Sequence, residues 1–367
     1  MDFLGRIKHQ DPALSALRAA HAQGRLAHAY LFWGPDGIGK TVAALGLAQM
    51  LLCRETSAPC GRCPECERVA RLTHPDLHVL LPEVRSAKQD PRKELEAYGR
   101  DPYYCLQIAR NASIGIERVR SLKLEASKAR VERGGRVIFI RNADRMTLEA
   151  AQAALKLIEE PQADTFVVLT CTDPSHLLPT ILSRCQRLRL RALPRAFIES
   201  ILRDVRGASA AQARIVAGLA DGRLCHALAW AEGDVLAQRD EALALVEAPA
   251  DSAAEIARRV QRLGRAWDPA RADVTVDLLM SWYSDLLAAK VGGGDAVEVH
   301  RDRAADLEQQ AARLPLEAIK ARVQALEGLL RALKQNVNPA LALEAALLAI
   351  HGLTDAGRPA RCGARRL

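Results

Sequence analysis

The chain has 367 residues, 49% of them hydrophobic and 26% charged, an ordinary globular composition at a length that calls for two or three domains rather than one core. No apolar run approaches the roughly 18 residues of a membrane span, Met1-Asp2-Phe3-Leu4-Gly5-Arg6 lacks the apolar core of a signal peptide, and nine cysteines in the cytoplasmic setting this implies argue against a disulfide framework. The net charge of +8 suits a nucleic-acid partner without demonstrating one, and part of it sits in a basic tail at Arg358, Arg361, Arg365 and Arg366.

Residues up to Arg25 read as a helical preface, with Asp11 and Pro12 as N-cap and first turn and Leu14, Leu17 and Ala20 behind them. Ala29–Trp33 is short, apolar and aromatic, the pattern of a buried strand. It runs into Gly34-Pro35-Asp36-Gly37-Ile38-Gly39-Lys40-Thr41, which fits G-x-x-x-x-G-K-[ST], and then into an apolar helix from Val42 to Leu52. In that strand–loop–helix context the glycines let backbone N–H groups curl around phosphate oxygens at a helix N-terminus. Gly34, Gly37 and Gly39 would form the cradle, Lys40 would reach the β and γ phosphates, and Thr41 would hold Mg²⁺. A glycine-rich turn without a ligand is the plain alternative.

Next come Cys53, Cys60, Cys63 and Cys66, a C-x2-C-x2-C run with a fourth cysteine just upstream. Four thiolates so placed can surround one tetrahedral ion, zinc by preference, in a site closed by protein and therefore structural. An iron–sulfur cluster is the rival, and His74 or His78 could replace one ligand. Pro59, Gly61 and Pro64 supply the sharp turns of such a knuckle.

Leu77–Leu81 is a second strand candidate, and residues 83–102 read as a charged, exposed insertion. From Ile116 to Arg130 a helical pattern puts Val119, Leu122 and Ala126 on one face. Arg118, Lys123, Lys128 and Arg130 lie elsewhere on it, as a solvated face or a phosphate-contacting one. Val137–Ile140 is a third strand whose unbroken apolar run suits a buried parallel sheet. A P-loop ATPase carries a carboxylate straight after this strand to hold Mg²⁺. Here the places are taken by Arg141 and Asn142, with Asp144 three residues on. Arginine has the wrong sign for a dication, so hydrolysis is expected to be lost while binding persists. Asp144 is either a late substitute for the metal's carboxylate or, the preferred reading, the cap of a helix from Met146 to Glu159 that Pro161 stops.

Thr165–Cys171 is a fourth strand, Thr172-Asp173-Pro174 a turn, and Gln186–Leu190 an alternating fifth. Strands alternating with helices make a parallel α/β sheet with its ligand at the carboxyl ends of the strands. Beyond Pro194 no strand is convincing. Residues 195 to about 236 read as a small helical unit broken at Arg206-Gly207 and Asp221-Gly222. Long Ala/Leu-rich helices follow to about 355, interrupted at Gly292-Gly293-Gly294 and again at Gln335 to Pro339.

Taken together, these landmarks resemble the AAA+ clamp-loader family of bacterial DNA polymerase III, and within it the delta-prime subunits, over nearly the whole chain. The resemblance rests on Gly34–Thr41, the four cysteines, Leu157-Ile158-Glu159-Glu160-Pro161, Ser183-Arg184-Cys185 and Asn336-Val337-Asn338-Pro339. It implies an α/β P-loop AAA+ domain over residues 1–191 with a zinc knuckle at about 53–66, a small helical lid over 192–236 and an all-α collar over 237–367. It also implies a hetero-pentamer with clamp-loader ATPase subunits and the delta subunit, loading a sliding clamp on primed DNA in replication, with no membrane partner.

Matched to that family, Arg184 is an arginine finger acting in trans on ATP held by a neighbouring ATPase subunit, and Thr172 is a candidate sensor. Structural zinc, and ATP or ADP with magnesium as a bound but unhydrolysed ligand, are the cofactors implied. No independent catalysis is expected, although the complex is part of a DNA-directed DNA polymerase, a nucleotidyltransferase. Family ATPases carry Asp-Glu where Arg141 and Asn142 stand, and a sensor arginine where Gly222-Arg223-Leu224-Cys225 places Cys225, with Arg223 as a shifted substitute. Both departures imply a stator rather than a motor; an autonomous AAA+ ATPase in DNA repair or recombination is the alternative.

Overall fold

A computed structural model describes residues 2–84, 105, 112–127, 135–263, 267, 269–335 and 337–353. The basic tail and most of the 83–102 insertion lie outside the described residues. The chain forms two compact units, one of Met1–Phe197 with Asp221–Ala229 and one of Ile198–Ala220 with Trp230–Leu367.

The first unit is built on a parallel sheet of β1 (Ala29–Trp33), β2 (Leu77–Leu80), β3 (Arg136–Ile140), β4 (Thr165–Cys171) and β5 (Gln186–Arg189). The strand order is β2-β3-β4-β1-β5, so β4 lies between β1 and β3. Successive side chains alternate between two cores, as the two-residue strand period requires. Tyr30, Phe32, Val137, Phe139 and Val168 face one core, shared with helices α1 (Phe3–Arg6), α2 (Asp11–Ala22) and α3 (Lys40–Leu52). Ala29, Leu31, Ile138, Ile140, Val167 and Leu169 face the other, shared with α5 (Ile116–Ser127) and α6 (Leu148–Glu159). The short α4 (Pro64–Ala70) packs on α3. Burial on both faces is why β1, β3 and β4 read as unbroken apolar runs.

Two features differ from the sequence reading. Asp144 does not cap α6: Thr147 does, its side chain accepting from the Ala150 N–H, while Asp144 sits in a 3-10 turn, Ala143–Arg145. Thr147 wins because it directly precedes the first helical residue, where a hydroxyl reaches the exposed N–H groups. Likewise α2 is preceded by Gln10, whose side-chain amide bonds both the carbonyl and the N–H of Arg191, and Asp11 is the first helical residue.

The apolar reading of β3 also passed over its first residue. Arg136 is 2% exposed and pairs with the equally buried Asp76 at 3.8 Å. It also donates to the Ala126 carbonyl and, at 3.2 Å, to the Gln162 side chain.

Short α7 (Pro179–Leu182) precedes β5. Then come α8 (Arg195–Arg206), α9 (Ala210–Leu219) and α10 (Leu224–Trp230), broken where the glycines at 207 and 222 take positive φ. A full capping box, Ser209 with Gln212, starts α9.

The second unit is helical throughout its described residues. Its elements include α11 (Val235–Glu247), α12 (Ala253–Leu263), α13 (Pro269–Gly292), α14 (Ala304–Arg313), α15 (Leu316–Lys334) and α16 (Pro339–Ile350). The long α13 is central, packing on α11, α14 and α15, and it buries Val276, Leu279, Trp282, Tyr283 and Leu286. Gly293, with a φ of +73°, turns the chain after it. Asn338 caps α16 with its side-chain oxygen. Among the described residues no helix is long and apolar enough to cross a membrane.

Candidate functional site

Parallel strands bring the carboxyl ends of β1, β4 and β3 to one edge of the sheet, and the glycine loop leaves from β1 there. Gly37 and Gly39 take φ of +74° and +101°, a region side chains with a Cβ rarely adopt. A Cβ on Gly37 would also lie 2.9 Å from that of Cys225, whereas Gly39 has nothing within 4 Å. Gly39 thus turns the chain into α3 and keeps the ground before the helix N-terminus open.

Lys40 is 5% exposed and folds back onto its loop, donating to the carbonyls of Gly34 at 2.9 Å and Pro35 at 2.6 Å. Burial pushes its amine down from the usual lysine range, against the pull of Asp36 and Asp144. Asp36 lies 3.6 Å from the Lys40 ammonium. Burial pushes the Asp36 carboxyl up, but Lys40, Arg141, the Gly37 N–H and His226 together hold it below its ordinary value. Thr41 is buried at the start of α3.

Arg141 follows β3 directly, is buried, and donates its backbone N–H to Leu80. Asn142 is held in the left-handed region, its N–H on the Thr170 hydroxyl at 2.9 Å. Asp144 accepts from the backbone N–H of Thr172 at 2.9 Å, so it ties the turn after β3 to the end of β4. Its other oxygen is buried without a hydrogen-bond partner.

The start of α10 abuts the loop: the Cys225 N–H donates to the Gly37 carbonyl at 3.2 Å. Cys225 also forms a disulfide with Cys105, 120 residues away. The cysteine count argued against a framework of bridges and did not single out this one. Burial first, and then Arg223, keep the His226 imidazole below its ordinary value, with Asp36 pulling the other way.

The four cysteines converge. Cys53 ends α3, Cys63 caps α4, and the four sulfurs lie within 4.8 Å of one another. The Cys53 and Cys63 sulfurs are 3.8 Å apart, which matches the edge, about 3.8 Å, of a tetrahedron whose corners stand ~2.3 Å from a zinc ion. Backbone N–H donation from Arg62 leads the pull that brings the Cys60 thiol down to about 7, while burial pushes the Cys66 thiol up. A bound dication would offset that burial penalty.

Gln49, wholly buried on α3, accepts from the Phe3 N–H and donates to the Cys66 carbonyl, both at 3.0 Å, so it pins the knuckle to the helix and the N-terminus. Neither histidine joins the cluster: the His74 ring accepts from the Asp76 N–H, and His78 faces Glu125 at 3.6 Å.

Arg184 lies in the turn after α7. Its guanidinium donates to the Thr180 carbonyl and pairs with Glu159 at 3.0 Å, the two side chains being 40% and 38% exposed. The structure therefore joins two motifs that stand apart in the sequence, Ser183-Arg184-Cys185 and Leu157 to Pro161. An exposed pair of this kind contributes about 0–1 kcal/mol, so the guanidinium can leave it for another anion at small cost.

The sequence profile of the family described as DNA polymerase III, delta subunit, matches residues 9–194, and that of its C-terminal region matches residues 251–352. The DNA polymerase III subunit delta' of Bacillus subtilis is 30% identical over 331 residues, spanning 86% of this chain and 88% of that protein. Its counterpart from Pseudomonas aeruginosa is 36% identical over 172 residues, 46% of this chain and 43% of that protein. Among solved structures, a DNA polymerase III gamma subunit-related protein of Thermotoga maritima overlays with a TM-score of 0.45 at 17% identity, covering 92% of this chain and 98% of that one.

Proposed function

Because this chain belongs to the delta-prime family of DNA polymerase III clamp-loader subunits, we propose that within such a loader it is a stator that does not hydrolyse ATP. Its part would be to donate Arg184 in trans to ATP held by a neighbouring ATPase subunit. The observation that carries this reading is Arg141, buried after β3 at the place where hydrolysis needs a carboxylate for magnesium. Arg184, half-exposed and held by a weak surface pair, supports the second half of it.

The division into a P-loop domain of residues 1–191, a lid of 192–236 and a collar of 237–367 belongs to the same proposal, as does assembly with ATPase and delta subunits in a hetero-pentamer. So do the sliding clamp and primed DNA as the targets of the complex, and Thr172 as a sensor. Cys53, Cys60, Cys63 and Cys66 would hold a structural zinc. Gly34, Gly37, Gly39, Lys40 and Thr41 would hold ATP or ADP as a ligand that is not turned over.

The test is ATP turnover by the partner ATPase subunits reconstituted with this chain, the clamp and primed DNA, comparing wild type with Arg184→Ala. An arginine finger is worth about 10³–10⁵ in kcat, so the site that Arg184 serves should fall silent while the complex still assembles. Turnover by the isolated chain, together with an unchanged rate for the variant complex, would replace the stator with an autonomous ATPase.

A further inference from the structure

Cys225, one end of the disulfide with Cys105, lies in the first turn of α10 and stands directly against the glycine loop. Its N–H donates to the Gly37 carbonyl at 3.2 Å, and a Cβ on residue 37 would lie 2.9 Å from that of Cys225. Gly37 also has a φ of +74°, so the loop meets Cys225 at a position that only glycine suits.

What α10 brings to the loop bears on Lys40. His226, next after Cys225, acts on the Asp36 carboxyl, and Asp36 lies 3.6 Å from the Lys40 ammonium. Lys40 in turn donates to the carbonyls of Gly34 and Pro35. With the bridge closed, the lysine that a phosphate needs is engaged by its own loop, and the helix start that carries His226 is tied in place.

The pair differs from Cys171 and Cys185 in access. Those two are buried, and burial pushes their thiols up to about 12 and about 11, which leaves little of the reactive thiolate. Cys105 and Cys225 are half-buried, and disulfides within reach of solvent are the ones that thiols exchange.

We propose that Cys105 and Cys225 are a reversible thiol–disulfide modification site whose closure lowers the affinity of the loop Gly34–Thr41 for a nucleoside triphosphate. This rests on the reading of that loop as a nucleotide site. The oxidant is a low-molecular-weight disulfide such as oxidised glutathione. A thiolate of the pair attacks it, expels one thiolate and forms a mixed disulfide. The second cysteine then attacks the protein sulfur, expels the other thiolate and closes the bridge. Two cysteine thiols and one small disulfide become one bridge and two small thiols, so the pair gives up two electrons and two protons to the oxidant. Reduction by two thiols runs the same steps backwards. It unties the start of α10 from residue 105 and lets Lys40 exchange its loop carbonyls for phosphate oxygens.

The experiment equilibrates the intact chain in glutathione buffers of graded ratio, alkylates it, and measures the 105–225 bridge by mass spectrometry. A fluorescent ATP analogue with magnesium is then titrated by anisotropy against bridged and reduced protein. Reduced wild type should bind about tenfold more tightly than bridged, inside the range of about 5–150-fold typical of linked sites. By reciprocity, saturating analogue should move half-bridging to a more oxidising buffer by the same factor. Cys105→Ser, which keeps the four knuckle cysteines, should bind like reduced wild type in both buffers. Equal affinity of bridged and reduced wild type, no bridge at any glutathione ratio, or an oxidant effect that persists in Cys105→Ser overturns the proposal. The first two need no variant and so stand even if the substitution unfolds the chain. No binding by wild type in either state removes the nucleotide reading and the switch with it, a result distinct from equal binding in both.

Discussion

Replacing Asp76 by Ala takes the counter-charge from Arg136, the first residue of the strand that delivers Arg141. The two side chains are 1% and 2% exposed and 3.8 Å apart. Removing one partner of a buried ion pair costs about 3–5 kcal/mol. Arg136 keeps its bonds to the Ala126 carbonyl and the Gln162 side chain, which places the expected loss near the lower end, about 3 kcal/mol. At roughly 2–4 °C per kcal/mol for a unit of this size, melting of the sheet unit should drop by about 6–12 °C.

Differential scanning calorimetry of the intact chain reads this directly. The double variant Asp76→Leu with Arg136→Met is the control, since apolar groups in place of a buried pair are often neutral; it should regain most of the loss. A cost for Asp76→Ala below about 1 kcal/mol, the range of exposed pairs, would refute the assignment of Asp76 as the charge that holds Arg136 inside.

Two further predictions concern the knuckle and the response to acid. Cys60→Ser with Cys63→Ser should release about one zinc per chain, measured by elemental analysis of the purified protein; metal content equal to wild type rules the site out. Burial holds the imidazoles of His78 and His226 below their ordinary 6.5. His78 faces Arg136, which reinforces that shift, and Glu125 and Asp76, which oppose it. The unfolded chain therefore binds more protons than the folded one as pH falls through about 6.5, so this contribution to stability is whole above that pH and lost below it. The urea midpoint should therefore fall less between pH 7.5 and pH 5.5 in His78→Gln than in wild type, and an equal fall in both would count against this account of His78.

What the amino-acid order determined by itself is local. The apolar runs Ala29–Trp33, Val137–Ile140 and Thr165–Cys171 declared buried parallel strands because both faces of each are covered. The spacing of Gly34 to Thr41 and of the four cysteines carried its own geometry, since neighbours in sequence are neighbours in space. The helical second half was legible from composition for the same reason.

Tertiary structure decided whatever depends on distant partners. Arg136 in an apolar strand has no sequence signal, because its partner Asp76 arrives only when β2 and β3 pair. Asp144 looked like a helix cap until β4 brought Thr172 beside it, and Cys105 meets Cys225 only across 120 residues of chain. Glu159 and Arg184 belong to separate motifs and become partners only in the fold. Arg141 shows the division within one residue. Its charge is written in the sequence, but that the charge acts on Asp36 of the glycine loop follows from the order β3-β4-β1, which sets the ends of two non-neighbouring strands on the same edge.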